Sequence, residues 1–316
     1  MIFRAGIVKP ISKTLIKEFL MSIVILLALS IFIFFLVFLS PGETILQEYL
    51  LNLSGDEDAY LDEEFSMSFM EAYWLWLSSS ILGNFGISHS SGLPVFSLVI
   101  EFTLNTLYLT LSSLLISILI AVPFILTLVN QKNQFISSSF NIVIRMISFL
   151  PLFWLAYIVI YVSTSQFNYY PLTMDYENIS IGQFILPVLL LSFGSGVIVE
   201  IIHNLSQETK RVLNEEYILC ARAKGASVYK HMFKESVAFP LLNLISNRIA
   251  YLFGATVIIE QIFNWPGIGR LLWQATQDRD IPLLLGAVVV SAIVIRTAHF
   301  FSRLIYVLIN PRASHE

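Results

Sequence analysis

The feature that most limits what this chain can become is a series of long apolar runs without a charge. Phe19 to Leu39 is 21 such residues, and Phe102 to Val129 is another unbroken run. About 20 apolar residues in helical form span the hydrocarbon core of a bilayer. The composition agrees, with 56% hydrophobic and 13% charged residues, where soluble domains carry about 25% charged. The chain reads as an all-α, polytopic membrane protein. It has one cysteine, Cys220, so neither an intrachain disulfide nor a cysteine metal cluster can form.

Six spans are expected: 19–39, 102–129, 140–162, 184–202, 237–259 and 281–309. The first is long enough, and lacks a small-residue cleavage site, so it reads as a retained helix rather than a signal peptide. The third is interrupted by Arg145 and Pro151, the fifth holds Arg248, and the sixth ends with Arg296, His299 and Arg303. Tyr73, Trp74 and Trp76 form an aromatic cluster of the kind found at membrane surfaces.

Charge segregates along the chain. The N-terminal stretch carries Arg4, Lys9, Lys13 and Lys17, and basic residues recur at Lys132, through 208–235 and in the tail. The 40–97 loop has nine acids and no Lys or Arg, the 164–182 loop has Asp175 and Glu177 and no base, and the third such loop has only Arg270 and Arg279. Cytoplasmic loops collect Lys and Arg, so both termini are expected inside. The expected divisions are 1–97 (N-terminal segment, first span and acidic outer loop) and 98–312 (five further spans), with a cytoplasmic loop at 204–236.

That loop holds a polar, helix-prone island, Glu215 to Pro240, between two apolar runs. Lys210, Arg211, Arg222, Lys224, Lys230 and Lys234 surround a run of small residues, Ala221, Ala223, Gly225, Ala226 and Ser227. The pattern suits two short helices meeting at a glycine turn, because Gly accepts backbone angles that other residues resist. Small side chains let another surface come close, whereas a mere tether would be rich in Gly, Ser and Pro and non-helical. The island reads as a docking element, against the plainer alternative of a helix contact within the protein.

Glu216-Tyr217 followed by Ala221-Arg222-Ala223-Lys224-Gly225 resembles the cytoplasmic "EAA" loop of ABC importer permeases. The stretch Glu260-x-x-Phe263-x-Trp265-Pro266-Gly267-Ile268-Gly269-Arg270, then Arg279-Asp280-Ile281-Pro282, is similar to the oligopeptide/dipeptide/nickel branch and its B-type subunit. Gly83-Asn84-Phe85-Gly86-Ile87-Ser88, Gly92-x-Pro94-Val95, Pro151-x-Phe153-Trp154 and Asn310-Pro311-Arg312 follow in family order. His203, Ser206, His299 and Arg303 depart from that pattern.

The resemblance implies a type I ABC importer permease fold in a bacterial or archaeal plasma (inner) membrane. It implies a second permease subunit, two cytoplasmic ATPase subunits and an extracytoplasmic substrate-binding protein as partners, with no role for nucleic acid. Glu216, Tyr217, Ala221, Arg222, Ala223, Lys224 and Gly225 would then couple to the ATPases. Glu260, Phe263, Trp265, Pro266, Gly267 and Gly269 would lie at an external gate or binding-protein contact, with plain scaffold as the alternative. The sequence has no G-x-x-x-x-G-K-[ST] loop. ATP and Mg would therefore belong to the partners, with no cofactor in this chain and no enzymatic activity of its own. The cargo stays open among peptides, nickel, metal chelates, opines and haem-like ligands.

Four ionisable residues near the inner ends of spans are pathway candidates, since such groups are costly in a membrane. Glu200 and His203 lie three apart on one helical face, and the plainer reading has them solvated, paired with each other or paired with an arginine. Arg145 and Arg248 can reach the headgroups by snorkelling. His89, His203 and His299 have no metal-ligand spacing. A membrane-embedded enzyme would need a cluster of acids, histidines or nucleophiles at one depth, and no H-E-x-x-H or G-x-S-x-G occurs. A non-transporting scaffold or sensor that recruits a partner through the loop is the remaining rival.

Overall fold

A computed structural model describes residues 2–40, 43–54, 67–129, 134–172, 179–225 and 233–309. Among them the chain is helical throughout, apart from turns and one isolated antiparallel bridge between Ile87 and Pro94. The acids Asp56, Glu57, Asp58, Asp62, Glu63 and Glu64, the Lys132 turn, Asp175, Glu177, Ala226, Ser227, Lys230 and Asn310 to Arg312 lie outside the described residues.

Among the described residues, three helices contain segments long and apolar enough to cross a membrane: Leu15–Phe38 in α1 (Ile2–Phe38), Val95–Leu126 in α4 (Val95–Val129) and Ile281–Ile305 in α12 (Ile281–Ile309). Two bent pairs raise the number to five if each is one span. The expected third span is one of these pairs rather than a single rod. α5 (Gln134–Phe149) and α6 (Leu152–Phe167) meet at 101°. Pro151 explains the position of the break, because proline offers no N–H and drives the residue before it out of helical geometry. The expected fourth span bends by 46° between α7 (Ile181–Gly194) and α8 (Val197–Leu213). Gly196 at the junction has φ +79, a conformation that L side chains rarely adopt. The fifth expected span coincides in position with α10 (Phe239–Phe263), which is not among these candidate spans, so at most five of the six expected spans are found among the described residues. α10 is entered through a six-residue π-helical segment, Phe233–Ala238.

The 40–97 region is more structured than a polar loop. It contains α2 (Glu43–Ser54) and α3 (Phe69–Ile81). Ser68 and Glu71 start α3 with a reciprocal capping box, which satisfies two of the helix's free N–H groups.

The chain folds as two compact units, one built on residues 107–265 and the other on 17–106 with 266–296. The core of the first gathers Leu109, Ile125, Ile144, Leu191, Ile198, Ile202 and Phe263. α8 shows how the sequence feeds it: Val197, Ile198, Ile201, Ile202, Leu205 and Val212 are buried, while His203, Gln207, Lys210 and Arg211 are exposed. The core of the second gathers Phe34 from α1, Tyr73 and Trp76 from α3, and Leu285 from α12. The Phe34 and Trp76 rings stack with centroids 5.2 Å apart, worth about 1 kcal/mol beyond area burial. The aromatic cluster of the sequence thus divides. Tyr73 and Trp76 are core residues, and only Trp74, 60% exposed, has a surface position.

Candidate functional site

The polar island forms α9 (Glu216–Ala223), which ends in a turn through Lys224 and Gly225. Gly225 has φ +69, and a Cβ built there would meet nothing within 4 Å among the described residues. The glycine is needed for its backbone angle. Glu216, Tyr217, Cys220, Ala223, Lys224 and Gly225 are exposed, while Ile218 is fully buried and anchors the helix. Ala221 and Arg222 belong to the same short helix.

Two bonds tie this region to the π-helical segment. The Tyr217 hydroxyl donates to Glu235, and the Thr209 hydroxyl of α8 donates to that of Ser236, buried, at 3.2 Å. Partial burial, and then the Glu235 carboxylate, push the Tyr217 phenol up to about 12. It is therefore a neutral hydroxyl at physiological pH and keeps its proton for that bond.

The Glu260-to-Gly269 stretch folds into a buried corner. α10 ends at Asn264 in left-handed geometry, with the Trp265 N–H returning to the Glu260 carbonyl at 2.9 Å. Glu260 and Phe263 are fully buried, and Trp265 packs on Phe184 with ring centroids 5.7 Å apart. Pro266, Gly267 and Gly269 are buried as well, and α11 (Ile268–Gln277) begins at once. Two polar residues of α4 hold its start. Asn105 donates to the Pro266 carbonyl at 3.0 Å, and the Thr106 hydroxyl accepts from the Ile268 N–H at 2.8 Å. Gly267 has no side chain to cap α11, so Thr106 supplies the acceptor from another helix.

Thr106 belongs to a stripe on α4 that hydropathy concealed. Thr103, Thr106, Thr110, Ser113 and Ser117 recur at helical spacing and are all buried. The Ser192 hydroxyl of α7 meets the Ser113 carbonyl at 3.0 Å. The signal was a hydroxyl at every third or fourth position in a run that otherwise looks uniformly apolar.

Asp280, quoted in the sequence only as part of a string and given no role there, is wholly buried at the start of α12. One carboxylate oxygen accepts from the Ser88 hydroxyl at 2.7 Å, the Ser90 N–H at 3.0 Å and the Ser90 hydroxyl at 2.9 Å. The other accepts from the Leu283 N–H at 3.2 Å and so caps the helix. Burial alone would raise its pKa, but the Ser88, Ser90 and Leu283 donors together hold it below the ordinary aspartate value. Close by, Gly286 packs so tightly that an added Cβ would lie 2.7 Å from Val95. The Asp-x-Pro spelling at a helix start was the available clue.

The four ionisable candidates separate. Arg145 on α5 is exposed, and so is His203, whose ring meets the Gln207 amide at 3.0 Å. Glu200 and Arg248 come together as an ion pair joining α8 to α10, each side chain partly buried. The Arg248 guanidinium also lies 5.2 Å from the centre of the Tyr251 ring. Among the described residues, no group of three His, Cys, Asp or Glu side chains could hold a metal ion.

Known proteins place this arrangement in a class. The chain is 28% identical to the oligopeptide transport system permease protein AppB of Bacillus subtilis over 324 residues, covering 95% of this chain and 99% of the relative. It is 28% identical to the probable peptide ABC transporter permease protein y4tP of Sinorhizobium fredii, covering 94% and 98%. Its identity to the nickel import system permease protein NikB of Staphylococcus aureus is 25% over 318 residues, covering 96% and 92%. Residues 113–315 match the family described as the binding-protein-dependent transport system inner membrane component, and they include α9, the Glu260 corner and Asp280. The chain belongs to that family.

Proposed function

We propose that this protein is one permease subunit of an ATP-driven importer for peptides or for nickel and metal-chelate ligands. It forms half of a pathway through a bacterial plasma membrane, with six spans and both termini in the cytoplasm. A second permease subunit completes the pathway, two ATPase subunits bind ATP and Mg, and an extracytoplasmic binding protein delivers cargo. The relatives' names, which include both oligopeptide and nickel import, support this range of cargo.

The observation that carries the reading is the state of α9. It presents small and basic residues on a surface with open space over Gly225, anchored by buried Ile218 and tied at Tyr217 to the segment leading into α10. A short helix held at its base and exposed at Ala223, Lys224 and Gly225 suits insertion into a groove on another protein. Arg222 and Lys224 would pair with acids on the ATPase surface.

The test is uptake by the assembled complex carrying Gly225→Val or Ala223→Glu. A β-branched residue opposes the left-handed turn, and the carboxylate obstructs close approach. Both variants are expected to insert normally, then to lose the ATPase subunits or to keep them without substrate-stimulated hydrolysis. Normal uptake by the double variant would refute α9 as the coupling element.

A further inference from the structure

The α7–α8 break lies inside an apolar run that hydropathy reads as one continuous span, and the chain supplies specific groups for its loose ends. Val197 N–H turns to the Ser195 hydroxyl, at 3.5 Å. The Phe193 carbonyl accepts from Ser148 of α5 at 3.3 Å, and the Ser195 carbonyl accepts from Tyr251 of α10 at 3.0 Å. One turn before Tyr251, Arg248 binds Glu200 in the first turn of α8. Neighbouring side chains of α10 thus hold both the corner and the beginning of the rod that follows it.

That rod has a notable far end. α8 continues without interruption to Leu213, and only Asn214 and Glu215 separate it from α9. At about 1.5 Å per residue it is roughly 25 Å long, so a turn of about 10° at Gly196 would carry its far end about 4 Å. A displacement of α9 therefore arrives at the corner as a change of angle.

The holding cluster is incompletely satisfied. The Arg248 Nε is buried and has no hydrogen-bond partner among the described residues, although the same guanidinium binds Glu200 and covers Tyr251. A strut made for permanence uses all its donors, because an unpartnered buried N–H carries a desolvation cost. A cluster with a donor left over resists rearrangement less.

From the break, the rod and the cluster we infer that Glu200, Arg248 and Tyr251 are positioning residues of the transport cycle. They hold the α7–α8 angle in this conformation, and the Glu200–Arg248 pair parts and re-forms as α8 swings with α9. This inference rests on the coupling role proposed for α9. It assigns no contact with cargo to the pair.

The experiment uses the complete transporter, with both permease subunits, the ATPases and the loaded binding protein, reconstituted in vesicles. Glu200→Ala, Arg248→Ala, Tyr251→Phe and the exchange Glu200→Arg with Arg248→Glu are compared for basal ATP hydrolysis, its stimulation by loaded binding protein, and uptake. Each alanine variant is expected to lower stimulation about fivefold or more, with the binding protein's half-saturating concentration unchanged. The charge exchange is expected to restore most of it, and Tyr251→Phe to fall between. Alanine variants that assemble and keep normal stimulation overturn the inference, as does an exchange that fails to recover. If an alanine variant does not assemble, Glu200→Gln and Arg248→Gln, which remove each charge while keeping a polar side chain, decide by the same ratio. Loss of coupling in Gly225→Val with retained coupling in the pair variants would sink the clamp alone. Normal coupling in Gly225→Val would sink the reading on which it rests.

Discussion

The Asp280 turn and the α9 turn are both short polar passages beside long apolar helices, and they handle their polar groups in opposite ways. Asp280 is fully buried, and its two carboxylate oxygens take four donors from Ser88, Ser90 and Leu283. Gly286 nearby leaves no space for a methyl group. At α9 the glycine has no described residue within 4 Å of where a Cβ would lie, and Glu216, Ala223 and Lys224 are exposed. A passage whose bonds close within the chain acts as scaffold. One that leaves them open has surface to offer a partner. Both stretches had been picked out by sequence spelling alone, and spelling does not distinguish these two uses.

The contrast predicts a graded series in stability. Asp280→Ala has the largest expected effect, because it strands the buried Ser88 hydroxyl, frees the Ser90 donors and uncaps α12. Hydrogen bonds to charged groups are worth about 1.5–3 kcal/mol each and do not simply add, so a loss of about 3 kcal/mol is expected. Thermal unfolding of the purified, detergent-solubilised protein measures it. The pH dependence has a definite sign. The folded carboxyl titrates below its unfolded value of 3.8. Its contribution is therefore full above that value and is lost as pH falls through the lower, folded one. Asp280→Asn should remove this acid-side part of the stability curve, and an unchanged acid limb would show that the bonds are not stabilising.

Gly286→Ala comes next, since its methyl group must displace Val95 or the Phe85 ring. A cost of about 1–3 kcal/mol is expected in the same melt. Gly225→Ala follows at about 1 kcal/mol, all of it backbone strain and none of it packing. A loss at Gly225 as large as that at Gly286 would mean that α9 is packed in solution. Ala223→Glu should leave the melting temperature of the isolated subunit within about 0.5 kcal/mol of wild type. The same change should nevertheless abolish co-purification of the ATPase subunits, and a stability loss without that uncoupling would erase the contrast.

Helix positions were legible because apolar runs of span length are a local signal. The glycine turn at Gly225 was legible because the residue that permits the turn is itself the signal. Breaks were legible only where a residue enforces them. Pro151 announced an interruption but not an angle of 101°, while the Ser195–Gly196 corner lay hidden in an unbroken apolar stretch. Pairings across sequence were not legible. Glu200 was expected to be solvated or paired with His203 or with an arginine, and its partner is Arg248, 48 residues away, which no local spacing could name. Asp280 appeared as part of a familiar string, and nothing local says that its second oxygen serves residues 88 and 90. Alternation of hydroxyls along α4 was present in the letters but was outweighed by the hydropathy of the run.

Cys220 is the only thiol in the chain, and it is exposed on α9. The natural protein therefore already carries one chemically distinct atom on the helix proposed to insert into the ATPase subunits. A small maleimide reacts with it at a rate set by the fraction of time the sulfur is open to water. No engineered reporter or cysteine-free background is needed for this subunit to reveal how often that surface is occupied.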